Sequence, residues 1–238
     1  MFVQSKDFFR LDGVPCDSVG LYCDTPPIQT MSDRNLQSYN VGRDEALTVF
    51  DDEYKDIQFV IQAYQFKPES YDTSEIYNYL QGKQKIQFSN CEDYYYKIRS
   101  ISCTPTQKYD GAIVRYQITV RCRPFKYFVD DPWITISGSG NVENAGTLYC
   151  MPQYEVHTVG LGPASLTVNG VTVGIEGHTY LDGIITIDAE NQYAYDHGNS
   201  IVTKYTSGIY QYLGLGGNYV LLGGTARSVR IKRNQRNF

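Results

Sequence analysis

One stretch, residues 121–156, most constrains how this chain folds, because the sequence differs in texture on its two sides. It opens on the tail of an alternating apolar and polar run, IVRYQITVRCRPF, which predicts a strand ending at Pro124, since proline has no N–H to donate to a β-ladder. Residues 125–133 then read as a tether, and residues 137–140 as a flexible turn before a new apolar run at 148–156. The pattern predicts a junction between two domains. Four residues mark this junction: Arg121, Pro124, Asp130 and Trp133.

Length and composition support two domains, residues 1–130 and 131–238. A chain of 238 residues is long enough for each to bury a core, and its apolar fraction of 42% is ordinary for a globular protein. Its 22 tyrosines suit half-buried strand surfaces and interfaces. The net charge of −5 gives no general reason to expect nucleic-acid binding, and no apolar run approaches the length of a membrane span. The N-terminal sequence MFVQSKDFFRLDG is charged and lacks an apolar core, which predicts synthesis in the cytoplasm without a signal peptide.

The first half reads as α+β, mainly strand with one helix. Residues 55–66 carry apolar side chains at every second position, which predicts a central strand with one apolar side. Residues 72–82 follow helical spacing, with capping side chains at the start and a glycine at the end. Further strands are predicted in a first hairpin that turns at Gly13 and in three later runs: 85–89, 94–102 and 113–122.

Residues 30–56 are polar and charged, yet they contain fragments that alternate with period two. This combination predicts an extended arm that buries little of itself. A long surface loop and an arm that contacts another protomer both explain it, and loops of this length without a function are uncommon in compact domains. If the segment is a contact arm, six residues are the candidates for the contact: Leu36, Tyr39, Gly42, Arg43, Asp44 and Leu47.

The second half contains only short, turn-punctuated strand patterns. Asn169-Gly170 lies between SLTV and VTVGI, and an Asn-Gly pair in this position favours a two-residue hairpin turn. Regular short strands with such turns predict an all-β sandwich. The predicted strands are 148–156, 164–168, 171–175, 179–181, 184–188, 194–196, 208–212, 217–222 and 228–232.

The residues that could carry chemistry do not form a known motif. The second half places histidines near carboxylates, but none has the spacing of a metal-ligand set or an acid–base pair. Those residues are His157, His178, His197, Asp182, Asp188 and Asp196. The six cysteines stand singly, without a CxxC pair, which is typical of reduced core residues. We therefore predict a protein that is not an enzyme and holds no cofactor or metal.

Several segments, in their order and spacing, resemble the distal tail protein (Dit) family of long-tailed bacteriophages, in its short form. In the first half these segments are FFRLDGVPCDSVGLYC, VGRDEAL, IQFVIQAYQF, EIYNYLQGKQKIQFSN, YYYKIRSIS and RYQITVRCRPF. In the second half they are NAGTLYCMPQYEVHTVG, GIITIDAENQYAYD and GIYQYLGLGGNYVLL. One departure occurs in the arm, where the family usually has Gly-Arg-Asp-Gly and this chain has Glu45, a residue that tolerates positive φ poorly.

This resemblance implies a structural role in a virion. An N-terminal belt domain would form an assembly ring, typically a hexamer, with the arm reaching a neighbouring protomer. A galectin-like or carbohydrate-module-like sandwich would be displayed outside it. The implied partners are the tail tube protein, a tail-tip or baseplate protein and a receptor-binding protein, and the genome would pass through the ring without specific binding. The protein would be made in the host cytoplasm and would reside at the distal end of the tail.

Two further possibilities come from the second half. A carbohydrate-binding module is the alternative function, because aromatic faces commonly stack on pyranose rings. The tyrosines concerned are Tyr149, Tyr154, Tyr180, Tyr193, Tyr195, Tyr205, Tyr210, Tyr212 and Tyr219. The chain also ends on a basic strand, which either guards a sheet edge or faces an acidic neighbour. Its candidate residues are Arg227, Arg230, Lys232 and Arg233.

Overall fold

The computed structural model describes residues 8–29, 31–40, 46–66, 73–109, 113–160, 162–176 and 183–238, and for 34–53 and 107–109 it describes the backbone alone. The chain divides into two compact units. The first unit is Met1–Val129 together with Phe238, and the second is Asp130–Asn237. This division lies one residue before the boundary predicted from the sequence.

The first unit is built on one large antiparallel sheet with the strand order β2-β1-β7-β8-β9-β6-β3. Its elements in chain order are β1 (Phe9–Leu11), β2 (Val14–Pro15), β3 (Leu21–Cys23), β4 (Arg34–Asn40), β5 (Ala46–Tyr54), β6 (Ile57–Phe66), α1 (Ser74–Leu80), β7 (Lys85–Phe88), β8 (Tyr94–Tyr109) and β9 (Ile113–Phe128). A 3-10 turn at Cys16–Val19 precedes β3. The prediction of a mainly β unit with a helix is confirmed for the described residues.

The strand β6 is central, as its sequence predicts. It lies between β9 and β3, and its burial alternates along Ile57, Phe59, Ile61 and Ala63. The helix α1 covers the apolar side of the sheet with Ile76, Tyr79 and Leu80. Its N-cap residue is Thr73, whose side chain makes no capping hydrogen bond. Packing of the apolar face therefore holds this short helix more than capping does.

The predicted strand end at Pro124 is wrong, because β9 continues to Phe128. In the β8–β9 ladder Ile98 pairs with Cys122 and Tyr96 pairs with Lys126, so three residues of β9 face one residue of β8. Pro124 lies inside this bulge, and the pairing of β9 with β6 has already ended at Cys122. A bulge leaves residues of the longer strand out of the β8–β9 pairing, which is why a proline without an N–H is accepted within β9.

The second unit is two five-stranded antiparallel sheets that share one core, with orders β10-β19-β12-β15-β16 and β11-β18-β13-β14-β17. Its strands are β10 (Ile134–Ser137), β11 (Ser139–Asn144), β12 (Gln153–Thr158), β13 (Ala164–Val168), β14 (Val171–Ile175), β15 (Ile184–Asp188), β16 (Tyr193–Asp196), β17 (Thr206–Gly208), β18 (Gly216–Gly224), β19 (Ala226–Lys232) and β20 (Arg236–Asn237). A 3-10 turn at Thr203–Tyr205 precedes β17. The all-β second half is thereby confirmed for the described residues.

The Asn-Gly hairpin forms as predicted. Val168 pairs with Val171, and the two residues between them, Asn169 and Gly170, have φ of 49° and 85°. Positive φ at both central positions is the type I′ turn that matches the twist of the flanking strands. The turn therefore sets the register of β13 against β14.

Three local predictions in the second half are corrected. The flexible turn expected at 137–140 is made of strands β10 and β11, which flank Gly138 and enter different sheets. The strand expected at 148–156 begins at Gln153, directly after Pro152. The strand expected at 208–212 is only Thr206–Gly208, and the one expected at 179–181 lies outside the described residues. Serine and glycine in β11 resemble turn residues, so its pairing partner rather than its composition makes it a strand.

Candidate assembly and binding surfaces

The predicted arm is a two-stranded hairpin, β4 with β5, rather than a single extended segment. Leu36 pairs with Phe50 and Tyr39 pairs with Leu47 through the backbone. Among the described strands these two pair only with each other. Gly42, Arg43 and Asp44, which were predicted to contact a protomer, lie outside the described residues. The contact role of the arm stays a prediction.

Two hydrogen bonds close the base of the hairpin, and an aromatic contact joins it to the large sheet of the first unit. The Ser32 hydroxyl donates to the Lys55 carbonyl, and the Lys55 N–H donates to the Asp33 carbonyl at 3.0 Å. The rings of Tyr54, the last residue of β5, and Phe125 on β9 lie 5.2 Å apart in an edge-to-face contact. The hairpin thus starts from a defined point on the large sheet.

Arg121, predicted to lie at the junction, belongs to the interior length of β9 and binds a carboxylate of the first unit. Asp56 accepts from Arg121 Nε at 2.8 Å and from Arg99 Nε at 3.0 Å. Both arginine side chains are more than half exposed, so each pair contributes little to stability singly. Together they join the start of β6 to β8 and β9.

Of the other predicted junction residues, Pro124 lies within β9 of the first unit, and Asp130 and Trp133 lie in the second unit. The residue between these two that is bound most tightly is Asp131. This carboxylate is 4% exposed and accepts from Arg233 Nε at 2.9 Å and from the Gln235 side-chain amide at 3.1 Å. The Lys232 ammonium donates to the Asp131 carbonyl. Asp130, one residue earlier, is exposed. Asp131, near the end of the predicted tether, is therefore bound to the C-terminal segment of the second unit.

The structure brings together two residues that were predicted separately. Trp133 is half-buried, and the Arg230 guanidinium carbon lies 4.9 Å from the centre of its ring. Arg230 also donates to Glu155 at 2.7 Å. A cation held over an indole ring and beside a carboxylate is satisfied within its own unit.

The basic last strand therefore uses most of its charge internally. Arg230, Lys232 and Arg233 all bind partners within the second unit. Arg227 on β19 is exposed and makes no ion pair with any residue that the structure describes. Of the four basic residues, Arg227 is the one positioned for an outside partner, and contact with an acidic neighbour stays a prediction.

Neither of the two described histidines forms an ion pair with a described carboxylate. His157 is half-buried on β12 with its Nε2 unpartnered, His197 is exposed after β16, and His178 lies outside the described residues. Within the described ranges no group of three histidine, cysteine or acidic side chains could hold a metal ion. The six cysteines are free thiols, and burial raises the pKa of Cys122 and Cys150 to about 12. Such thiols are poor nucleophiles at neutral pH.

The tyrosines of the second unit divide into core and surface residues. Tyr154 and Tyr210 are buried, and the hydroxyl of Tyr154 donates to the Gln211 carbonyl at 3.2 Å. Tyr149 and Tyr212 are exposed, and their rings lie 5.5 Å apart in an edge-to-face contact. A second pair, Tyr193 and Tyr195, has ring centres 5.7 Å apart. Tyr180 lies outside the described residues.

The described residues form a mainly β first unit with a separate two-stranded hairpin, followed by a second unit of two packed sheets, and this combination defines the fold class of the protein. None of the described helices is both long and apolar enough to cross a bilayer.

Solved structures that are similar to this chain include two from bacteriophages. The SPP1 Dit protein, described as a paradigm of hub adsorption apparatus in Gram-positive infecting phages, superposes with a TM-score of 0.66 at 14% identity, over 97% of this chain and 98% of that chain. The baseplate of phage P2 in its activated conformation with Ca gives a TM-score of 0.48 at 7% identity, over 94% of this chain and 96% of that chain. No protein-family model and no curated protein sequence matches. The resemblance to distal tail proteins is thereby confirmed at the level of the fold.

Proposed function

We propose that this chain is the structural hub of a phage tail tip, forming an assembly ring that joins the tail tube to tail-tip or baseplate proteins. The observation that carries this proposal is the agreement in fold with the SPP1 Dit protein over nearly all of both chains. Agreement over the full length includes both units and the connection between them, so it is more informative than a match to one common β-fold.

The hairpin β4–β5 supports the assembly role. An isolated two-stranded hairpin is marginally stable in water, because it buries little apolar surface. In the described part of the chain β4 and β5 pair with no third strand. A neighbouring protomer would supply the missing surface, and a hairpin reaching from each protomer to the next would close a ring of identical interfaces. A hexamer is the ring size that the family resemblance implies.

The remaining parts of the proposal concern the second unit and the channel. The second unit would be a galectin-like sandwich displayed outside the ring, where a tail-tip or receptor-binding protein docks. The genome would pass through the central opening without specific binding, consistent with a chain whose net charge is −5. The proposed location is therefore the distal end of the tail, and the proposed role is not enzymatic.

The test is the native mass of the full-length protein by light scattering, with negative-stain images of the same sample. We expect a ring of six copies. Replacing residues 41–45 by a two-residue Asn-Gly turn should weaken association while the melting temperature of the protomer changes little, because the hairpin adds little to either core. The control variant keeps the hairpin at its full length and replaces the exposed Asp130 by asparagine. Its association should equal that of the wild type. A monomeric full-length protein would contradict the proposal.

Carbohydrate binding by the second unit is the second candidate function, favoured by the exposed pair Tyr149 and Tyr212. The buried Arg236 side chain holds this pair in place: its guanidinium carbon lies 4.6 Å from the ring centre of Tyr149, and its Nε donates to the Tyr149 carbonyl at 2.8 Å. Binding to purified cell-wall polysaccharide should fall on replacing Tyr212 by alanine and persist on replacing Tyr219, which is exposed on another part of the unit. If the Tyr212→Ala variant binds the polysaccharide as tightly as the wild type, the Tyr149–Tyr212 pair is not the binding site.

A further inference from the structure

The outward face of the large sheet in the first unit contains a cavity of about 440 Å³. Its wall includes Arg10, Asp12, Gln84, Lys85, Gln87 and Tyr95. Strand alternation creates it: Phe9, Leu11, Ile86 and Phe88 point into the core, so Arg10 on β1 and Lys85 and Gln87 on β7 point outward. Arg10 and Gln87 are direct cross-strand neighbours, which places a cation and an amide side by side.

The one carboxylate in the wall is already occupied. Asp12 Oδ1 accepts from the backbone N–H of Lys85 at 2.9 Å and of Gln84 at 3.2 Å. These bonds hold the turn after β1 against the start of β7. Asp12 is therefore directed to the backbone rather than to either cation of the wall.

The two cations rest on aromatic rings instead of carboxylates. The guanidinium carbon of Arg10 lies 4.9 Å from the Phe8 ring centre, and Lys85 Nζ lies 4.9 Å from the Tyr95 ring centre. Neither forms an ion pair with a described residue, and Arg10 Nε is buried without a hydrogen-bond acceptor. An unsatisfied buried N–H is costly, and an acceptor entering from outside would remove that cost.

The neighbouring strand β8 adds a third cation, Lys97, beside this wall. Lys97 on β8 lies directly across from Lys85, and like charges in this position disfavour pairing of the two strands. Lys97 Nζ lies 4.3 Å from the ring centre of Tyr127, which stacks on Tyr95 at 5.6 Å. Cations are thus concentrated on this face of a chain whose net charge is negative.

We propose that this cavity binds an acidic side chain of a protein partner, with Arg10 and Lys85 as its cationic contacts. The Gln87 amide donates one N–H to the Glu92 carbonyl at 2.6 Å, and its second N–H is the additional donor to the partner. Guanidinium, ammonium and amide groups are the donors that a carboxylate accepts from, and the Arg10 fork matches its two oxygens. The cavity is concave and holds one or two side chains, whereas a nucleic-acid backbone needs a continuous row of cations. Asp12 in the wall also disfavours a polyphosphate. This inference is independent of the assembly ring, because none of its residues lies on the β4–β5 hairpin.

The probe is a fluorescein-labelled hexaglutamate peptide, with binding to the full-length protein followed by anisotropy at low salt. The wild type should bind, and affinity should fall as salt screens the charges. The double variant Arg10→Gln and Lys85→Gln should bind about tenfold more weakly, since it removes both cations. The charge-preserving variant Arg10→Lys and Lys85→Arg should retain most of the affinity. Unchanged thermal unfolding of each variant shows that its fold is retained.

The matched control is Lys126→Gln, because Lys126 Nζ also lies over a tyrosine ring, 5.7 Å from the centre of Tyr94, but does not line the cavity. Its affinity for hexaglutamate should change less than about twofold. Three results would overturn the proposal: no binding of hexaglutamate by the wild type, equal binding of hexaglutamine, or equal loss in the control. Tighter binding of a short DNA duplex that the double variant abolishes would assign the cavity to nucleic acid and overturn the protein partner.

Discussion

At the scale of single residues, Asp131 holds the C-terminal segment of the second unit in place. Its carboxylate is buried and receives hydrogen bonds from Arg233 and Gln235, residues more than one hundred positions further along the chain. A buried ion pair need not add net stability over an apolar pair, but removing one partner leaves the other charge uncompensated. The Asp131–Arg233 pair therefore adds little net stability compared with an apolar pair, but removal of Asp131 alone destabilises the unit.

We expect Asp131→Asn to lower the free energy of unfolding by about 3 kcal/mol, because it leaves the largely covered Arg233 side chain, 13% exposed, without its counter-charge. Equilibrium unfolding in urea measures this. The adjacent Asp130→Asn is the control and should change stability by less than about 0.5 kcal/mol, since Asp130 is exposed. Equal effects of the two substitutions would show that the Asp131–Arg233 pair does not stabilise the unit.

Two buried thiols predict a loss of stability at alkaline pH. Burial is the main cause that raises the pKa of Cys122 and Cys150 to about 12, with Asp56 adding to it for Cys122 and Asp131 for Cys150. The unfolded chain releases these protons near the ordinary value of 9.0, whereas the folded chain keeps them until about 12. The unfolded state thus binds fewer protons in this window, so the free energy of unfolding falls as pH rises from 9 to 12.

The expected slope is about 1 kcal/mol per pH unit for each thiol. Thermal unfolding of the wild type and of Cys122→Ala and Cys150→Ala between these pH values measures it. Each variant should have a shallower slope than the wild type, whatever its absolute stability. The control is Cys91→Ala, which replaces a half-buried thiol. If neither Cys122→Ala nor Cys150→Ala changes the slope, the alkaline loss of stability does not come from these two thiols.

At the scale of elements, the turn between β18 and β19 links the two sheets of the second unit. Gly224 ends β18 with φ of 64°, and a Cβ at this position would lie 2.1 Å from the Pro163 carbonyl oxygen. That oxygen also accepts from the Thr225 N–H at 3.0 Å, so it is not free to move. Both the backbone angle and the close approach require glycine here.

Gly224→Ala is therefore expected to destabilise the second unit by about 2 to 3 kcal/mol, combining left-handed strain with a backbone clash. Urea unfolding followed by circular dichroism gives the value. Gly217→Ala is the matched control, because it lies in the same strand, has no atom within 4 Å of the added Cβ and lacks a positive φ. If Gly224→Ala lowers the free energy of unfolding no more than Gly217→Ala does, the turn accommodates the added Cβ without strain.

At the scale of the whole molecule, each unit carries its own core. The buried cluster of the first unit runs from Phe9 to Cys122, and that of the second runs from Ile136 to Ile231. No residue is shared between the two clusters as described. A core of this kind is what allows a unit to fold as a separate domain.

Fragments 1–130 and 131–238 should each fold, and the first should retain the association of the full-length protein because it contains the β4–β5 hairpin. Circular dichroism tests folding and light scattering tests mass. The full-length protein at the same concentration is the reference. A monomeric 1–130 fragment together with an oligomeric 131–238 fragment would place the assembly contact in the second unit instead.

Prediction from sequence succeeded where the determining interaction is local or periodic. The alternation of residues 57–66 shows a one-sided strand because successive side chains point to opposite faces. Asn169-Gly170 predicts its hairpin because few residues adopt positive φ twice in succession. The order of short segments also supported a resemblance to distal tail proteins, which the fold confirms.

Tertiary structure alone decided the features that depend on distant partners. Pro124 lies within a strand because β9 bulges at that point against β8, and β11 is a strand because β18 pairs with it along its length. The Arg10–Lys85 cavity forms because β1 pairs with β7, seventy-odd residues later, and brings outward cations of both strands together. A sequence specifies which faces its segments present, but the neighbour that meets each face is selected by the packing of the whole chain, since hydrogen bonds and burial are gained only between segments that the fold brings into contact.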